Sequence, residues 1–347
     1  MPMITVGIGG ATGYGGVELV RLLSRHPQVR LGFLSSESYA GQRLGDVYPH
    51  LGDVDLVLEP LAAEPIIDSC QFALLALPAG KSLEITPALL KAGVRVIDVG
   101  PDYRLRDPAV YARWYKLSHT SPDLLAEAVY GIPELYPEPL RDARLVAAPG
   151  CYPTSALLAV VPLLRAGLIQ ADDLVVDSKS GVSGAGRSSL ALPYHFPEAD
   201  EDVAAYAVGG HRHVAEIEQE VAAVAGREVA VTFTPHLVPM SRGILSTIYA
   251  KPARSATAAE LTACLREFYA DRPFVRVLEE PLPHTKWTAG SNYAYIAARL
   301  DEHSGRVILI SALDNLGKGM SGQMVQCLNL MCGWEETLGL DAPGLYP

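Results

Sequence analysis

Short apolar runs alternate with amphipathic stretches over residues 1–150. Val6-Gly7-Ile8-Gly9, Leu31-Gly32-Phe33-Leu34, Phe72-Ala73-Leu74-Leu75-Ala76-Leu77 and Val94-Arg95-Val96-Ile97-Asp98-Val99 predict buried strands, and Val17, Val20 and Leu23 recur at helical spacing behind the first. Strands separated by helices join as a parallel sheet, since a parallel neighbour is reached only by a long crossover. The pattern predicts an α/β fold with a doubly wound parallel sheet. Beyond Gly150 the runs lengthen and partly alternate. Leu174 to Asp177, Glu228 to Phe233, Gly243 to Tyr249 and Val307 to Ile310 are bounded by Pro and Gly and predict a second, α+β domain with a mixed sheet. Helical patterns over 214–224 and 256–269 cover one of its faces, and a helix over 319–338 returns to the first domain. The division is 1–150 plus 316–347 against 151–315.

Composition narrows the partners. A chain of 347 residues exceeds what one core organises. Its net charge of -11 and pI near 5.3 oppose nucleic-acid or anionic-membrane binding through a basic surface, so an anionic ligand must meet a local cluster of cations. The first strand follows the N-terminus with no signal-like core, and no apolar run approaches the roughly 20 residues that span a bilayer. The expectation is a cytoplasmic protein with no nucleic-acid or membrane partner. The five cysteines, at 70, 151, 264, 327 and 332, form no C-x-x-C pair. Cys70 and Cys327 lie in apolar segments and are core by default.

Gly10-Ala11-Thr12-Gly13-Tyr14-Gly15-Gly16 joins the first strand to a helix. Glycine lets backbone approach a pyrophosphate, and the helix N-terminus offers N–H groups and partial positive charge. This is the place of a dinucleotide in a Rossmann-type sheet, although Gly10-x-x-Gly13-x-x-Gly16 departs from the usual spacing and a ligand-free turn is the plain alternative. An NAD enzyme places a carboxylate for the ribose about 20 residues on. Here Leu34-Ser35-Ser36 ends the second strand, and small hydroxyls suit the 2′-phosphate of NADP(H), with Arg43 as an assistant. Glu37 argues the other way.

Cys151 stands apart from the other thiols. Ala148-Pro149-Gly150-Cys151-Tyr152-Pro153-Thr154 precedes a helical run, with Pro153 suited to its first position. The run meets Pro162, which should kink it, and stops at Gly167. A thiolate just before a helix N-terminus is favoured by the macrodipole. A buried structural thiol is the alternative. Gly209-Gly210-His211-Arg212-His213 supplies a proton partner: His213 and Glu216 have capping spacing, which leaves His211 on a flexible approach, free to face a cleft. A His-x-His zinc site with Cys151 lacks a fourth ligand. Lys179 to Arg187, rich in Ser and Gly, can hold phosphate or carboxylate, and Arg104 and Arg242 lie beside turns.

Taken together these motifs resemble the N-acetyl-gamma-glutamyl-phosphate reductase family of arginine biosynthesis. The resemblance rests on Gly10-Ala11-Thr12-Gly13-Tyr14-x-Gly16, Asp102-Tyr103-Arg104-Leu105, Gly131-Ile132-Pro133-Glu134, Gly150-Cys151-Tyr152-Pro153-Thr154, Ser180 to Arg187, Gly210-His211-Arg212-His213, Pro239-Met240-x-Arg242-Gly243 and Asp314-Asn315-Leu316-x-Lys318-Gly319, in family order along nearly the whole chain. Val99-Gly100-Pro101 departs from the Leu-Ser-Ala or Leu-Ser-Gly more usual there. The resemblance implies a Rossmann-type NADP-binding domain (1–150 plus 316–347) and a catalytic, oligomerisation domain (151–315) of the kind seen in aspartate-semialdehyde dehydrogenase. It implies Cys151 as nucleophile and His211 as acid/base. Cofactor contacts then fall to Gly10, Thr12, Gly13, Tyr14, Gly16, Ser35, Ser36, Pro78, Ser180, Gly181, Gly184 and Asn315, and substrate contacts to Arg104, Ser183, Arg187 and Arg242. No metal is implied. The reaction would be NADPH-dependent reduction of an acyl phosphate to an aldehyde with release of inorganic phosphate, in a homodimer or homotetramer. A carrier-bound aminoadipyl-phosphate reductase of lysine biosynthesis and a non-catalytic dinucleotide sensor are the alternatives.

Overall fold

The computed structural model describes residues 3–189 and 191–346. It divides into two units: residues up to Pro149 with Met320–Asp341, and Gly150–Gly319 with the tail from Ala342.

In the first unit β1 (Ile4–Gly9), β2 (Val29–Leu34), β3 (Phe72–Leu75), β4 (Arg95–Asp98), β5 (Val129–Tyr130) and β6 (Leu145–Ala147) form one sheet in the order β2-β1-β3-β4-β6-β5. Every pairing is parallel. The chain runs outward from β1 to β2 and then crosses to β3 on the other side, so the order reverses beside β1, where doubly wound sheets bind ligands. Leu19, Val20 and Leu23 bury one stripe of the Tyr14–Leu23 helix. The Gly322–Met331 helix is buried along its whole length against that helix and β4. It is shorter than the predicted 319–338. Gly333 turns left-handed (φ 68°) and the Trp334 N–H returns to the Asn329 carbonyl at 2.8 Å, which closes the C-terminus.

The second unit carries β7 (Leu174–Ser180), β8 (Ala204–Ala205), β9 (Val231–Leu237), β10 (Ile244–Ala250), β11 (Val275–Val277), β12 (Ala294–Asp301) and β13 (Arg306–Leu313), ordered β11-β12-β13-β10-β7-β9-β8. It is mixed: β10 runs antiparallel to β13 and β7, while β7 and β9 are parallel. β7, β10 and β13 alternate buried and half-buried residues. The buried face lies under the helices Cys151–Arg165, His213–Ala225 and Ala258–Phe268. Ser178, Ser246 and Ser311 stand side by side in register there, all buried. The Ser155 hydroxyl, from the Cys151–Arg165 helix, reaches Ser246 at 2.8 Å and Ser311 at 3.1 Å, so the helix is tied to the sheet by polar contacts as well as packing.

The boundaries differ from the expected 316–347 return. Residues 316–319 stay with the second unit, where a side chain at Gly317 would run into the Ser291 carbonyl, and the Leu345 N–H donates to the Ala289 carbonyl at 2.7 Å. The Cys151–Arg165 helix contains Pro162 in its interior and ends before Gly167, left-handed at φ 64°. Pro162 has no N–H for the Leu158 carbonyl four residues earlier, and the Tyr269 hydroxyl donates to that carbonyl at 2.5 Å. Tyr269→Phe, which leaves this buried carbonyl unsatisfied, is expected to lower stability by about 1–3 kcal/mol. Urea denaturation checks it, and an unchanged midpoint would refute this account of Pro162.

Candidate active site

Cys151 is the first residue of its helix, and Gly150 caps it in an extended conformation (φ -67°, ψ 155°). The sequence pattern assigned the first position to Pro153. The helix instead starts two residues earlier, and Pro153 falls within the first turn, where a missing N–H still costs nothing. The backbone N–H groups of Cys151 and Tyr152 therefore head the helix. The Gly150 N–H donates to the buried Glu216 carboxylate at 3.0 Å. A Cβ on Gly150 would fall on the His213 ring, against Nε2 and 2.6 Å from Cε1, so only glycine fits.

His211 is not on a flexible approach. Its ring packs against Tyr152 (5.6 Å between centroids), Tyr206 (5.6 Å), Phe233 (5.3 Å) and His213 (4.7 Å). The His213 N–H donates to His211 Nδ1 at 3.2 Å, which leaves Nε2 to carry the proton of the neutral ring. Burial first, and the neighbouring Arg212 charge second, push its pKa down to about 4. Glu216 is not a capping partner of His213, whose helix it shares. One of its carboxylate oxygens accepts from Gly150 instead. The Tyr152 and Tyr206 hydroxyls share a hydrogen bond at 3.0 Å. Both phenols are driven well above their ordinary range, mainly by burial and also by the Cys151 charge, so they stay neutral.

The Ser180 to Arg187 segment and the 314–319 turn converge within the same unit. Asn315 accepts the Gly243 N–H at 2.7 Å and donates to the Ser183 hydroxyl at 2.9 Å. Gly184 lies close to Ser180, and a Cβ on Gly181 would strike the Met240 carbonyl at 2.8 Å. Arg242 is paired with buried Asp314 at 2.9 Å and Lys179 with Asp177 at 2.9 Å, whereas Arg187 is half-buried. Among the described residues, no three His, Cys, Asp or Glu side chains gather as a metal-holding group, and no helix is long and apolar enough to cross a membrane.

In the first unit Gly10 is left-handed (φ 80°) with the Ala76 carbonyl 2.5 Å from where a Cβ would stand, and a Cβ on Gly16 would collide with Ala11. Gly13 caps the Tyr14–Leu23 helix, and Tyr14 is exposed. The Ser35 hydroxyl accepts the Gly10 N–H at 2.9 Å and the Ser36 hydroxyl bonds Thr12 at 2.8 Å. Both serines are buried, so their hydroxyls shape the loop before they meet any ligand. Arg43 is ion-paired with Asp55, Glu37 is exposed, and Pro78 is exposed at the end of β3. Arg104 is buried and donates to the Ala148 carbonyl at 2.9 Å and to the Val99 carbonyl at 2.5 Å, bracing the ends of β4 and β6. Beside it lie two buried carboxylates, Asp102, which the sequence offered only as part of a motif, and Asp98, which it offered only within a strand. Asp102 accepts from the Gly80 N–H at 2.8 Å and from the Tyr111 hydroxyl, and Asp98 accepts from the Ser82 hydroxyl and the Gly100 N–H, both at 2.8 Å. Tyr111 donates at 2.7 Å. The signal of Asp98 was faint because it ends a strand of apolar residues.

A parallel nucleotide-type sheet joined to a mixed sheet with a helix-start cysteine defines a two-domain dehydrogenase. A family model described as semialdehyde dehydrogenase, NAD binding domain, matches residues 5–143, and one described as semialdehyde dehydrogenase, dimerisation domain, matches 151–315. The chain is 50% identical to N-acetyl-gamma-glutamyl-phosphate reductase of Moorella thermoacetica, over 99% of this chain and 100% of the relative. It is 51% identical to the reductase of the same name from Pelotomaculum thermopropionicum, over 99% of both. Aspartate semialdehyde dehydrogenase II of Vibrio cholerae shares the fold (TM-score 0.73, 18% identity, 96% of this chain and 99% of that one), as does aspartate semialdehyde dehydrogenase of Candida albicans (0.73, 17%, 95% and 98%). The chain belongs to the semialdehyde dehydrogenase family, within it to the N-acetyl-gamma-glutamyl-phosphate reductases.

Asp98 gives the first unit a pH dependence. Burial, then repulsion from Asp102, raises its pKa from 3.8 to about 7, against the opposing pull of Ser82, Gly100 and Arg104. The folded chain thus holds a proton that the unfolded chain has lost, so stability falls as pH rises from roughly 4 to 7. Asp98→Asn, which keeps an acceptor for Ser82 and Gly100, is expected to flatten that decline in a Tm series. A wild-type Tm that rises over this range, unchanged in the variant, would refute it.

Proposed function

We infer that this protein reduces N-acetyl-L-glutamyl 5-phosphate to N-acetyl-L-glutamate 5-semialdehyde with release of phosphate, using NADPH. One observation carries the mechanism: Cys151 heads a helix whose second residue, Tyr152, packs against a His211 held neutral. The thiolate, stabilised by the helix N-terminus, attacks the acyl carbon. The bond from that carbon to the phosphate oxygen breaks, phosphate leaves with the electron pair, and a thioester to Cys151 remains. NADPH, when bound, supplies the hydride that reduces the thioester carbon. The N–H groups heading the Cys151 helix are donors for the resulting oxyanion. His211 Nε2–H donates toward the reacting oxygens, and its low basicity returns the ring to the neutral form at pH 7. The carbon–sulfur bond then breaks, and the aldehyde and the Cys151 thiolate are restored.

NADP(H) is favoured over NAD(H) because β2 ends in Ser35-Ser36, where an NAD enzyme needs a carboxylate for the ribose. The turn that Gly10, Gly13 and Gly16 make, ahead of the Tyr14–Leu23 helix N-terminus, is the proposed pyrophosphate site. Ser180, Gly181, Gly184 and Asn315 complete the proposed cofactor contacts, with Thr12, Tyr14 and Pro78. Ser183, Arg104, Arg187 and Arg242 are the proposed substrate contacts. Five free thiols suit a reducing cytoplasm. The half-buried face of the seven-stranded sheet, where Val175, Tyr249 and Ile308 stand in register beside Asp177, Thr247 and Ile310, is the proposed homodimer surface.

The reverse assay, following phosphate-dependent NADP reduction with N-acetylglutamate semialdehyde, is expected to show activity that Cys151→Ser abolishes and that NAD supports poorly. Turnover only with a one-carbon-longer aldehyde, or an active Cys151→Ser protein, would overturn the reading. Ile310→Glu is expected to shift the dimer to monomer in light scattering. An unchanged mass would remove this face from the assembly.

A further inference from the structure

Glu216 has no place in the thioester chemistry, yet it is fully buried and charged by type. It lies on the His213–Ala225 helix, and one carboxylate oxygen accepts the N–H of Gly150, the cap of the Cys151–Arg165 helix, at 3.0 Å. The other oxygen is 3.9 Å from His213 Nε2. The His213 ring in turn fills the space beside Gly150 where a Cβ would stand, and the His213 N–H holds His211 Nδ1 at 3.2 Å. A buried carboxylate is costly unless its oxygens find donors, and one donor here is the backbone N–H of the residue that caps the Cys151 helix.

We propose that Glu216 is a positioning residue: as acceptor for Gly150 it locks the start of the Cys151 helix to the start of the His213–Ala225 helix, which His211 immediately precedes, and so sets the nucleophile against its proton partner. The inference rests on the thioester reading for its consequence and on geometry alone for the linkage. Three features close on one another. Glycine at 150 admits the His213 ring, the ring's own backbone N–H fixes the His211 tautomer, and Glu216 holds the glycine. The helix contact behind them is extensive, because the Cys151–Arg165 and His213–Ala225 helices pack directly together. Small displacements of a nucleophile are expensive in rate even when binding survives.

The test compares Glu216→Ala with Glu216→Gln, whose amide oxygen still accepts from Gly150. Glu216→Ala is expected to lower kcat by about tenfold to a hundredfold at nearly unchanged KM, and to speed hydrogen exchange in the peptide spanning Gly150 and Cys151. Glu216→Gln is expected to restore both. Should the alanine protein fail to fold, Glu216→Asp, which withdraws the carboxylate by one methylene, takes its place. Wild-type kcat and exchange in a folded alanine or aspartate variant would overturn the proposal, as would a glutamine variant as impaired as alanine. If the wild-type protein shows no phosphate-dependent NADP reduction, the functional reading fails. The exchange measurement still decides the linkage.

Discussion

A helix stabilises a thiolate only at its first turn, and in the second unit a helix begins at Cys151. That start depends on Gly150, which must be extended, must give its N–H to Glu216 and must leave room for an imidazole. A larger residue at this position would push His213 away and with it the backbone N–H that holds His211. The start of the Cys151 helix and the setting of His211 thus both depend on one backbone position that has no side chain. The sheet beneath reinforces it: Ser155, one turn into the helix, bonds serines on two strands, so the helix cannot slide along the sheet without breaking buried hydrogen bonds.

The same logic governs the first unit, where backbone is again shaped before any ligand arrives. Gly10 and Gly16 make the tight turn after β1, and the hydroxyls of Ser35 and Thr12 hold it to the end of β2. Arg104 joins the ends of β4 and β6 through their carbonyls, which lets the chain leave the sheet at Ala148 in a fixed direction. Buried Asp98 and Asp102 accept the donors of the neighbouring turns. Burial, and then their mutual repulsion, raise the pKa of Asp98.

Periodicity made the two sheets readable, because alternation and short apolar runs report directly on which face is buried. The parallel sheet after β1 and the mixed sheet after Gly150 both follow from it. Cys151 was legible as the start of a helix, since Pro and Gly punctuate chains locally. Its exact place was not, because Gly150 caps by a tertiary bond to Glu216, sixty-six residues away. Glu216 itself looked like half of a local capping box, a pattern that a three-residue spacing produces by chance. His211 looked mobile after two glycines, while the rings that confine it come from β9, the Cys151 helix and Tyr206. In each case the local signal was real and the partner was remote.

The confinement of His211 has a chemical consequence that a mobile histidine would lack. An exposed imidazole near its ordinary pKa is partly protonated at neutral pH and would pair with a thiolate as a charged couple. Burial among three aromatic rings makes the charged form costly, and Arg212 adds repulsion, so the pKa falls to about 4. In the proposed reaction such a weak base would pass a proton through Nε2 and return to neutrality, as a step that gives a proton to oxygen and a later one that removes it require. The neutral phenols of Tyr152 and Tyr206 border the same space and add hydroxyl groups without adding charge. In the proposed reaction the charge falls on the Cys151 sulfur, at the head of its helix.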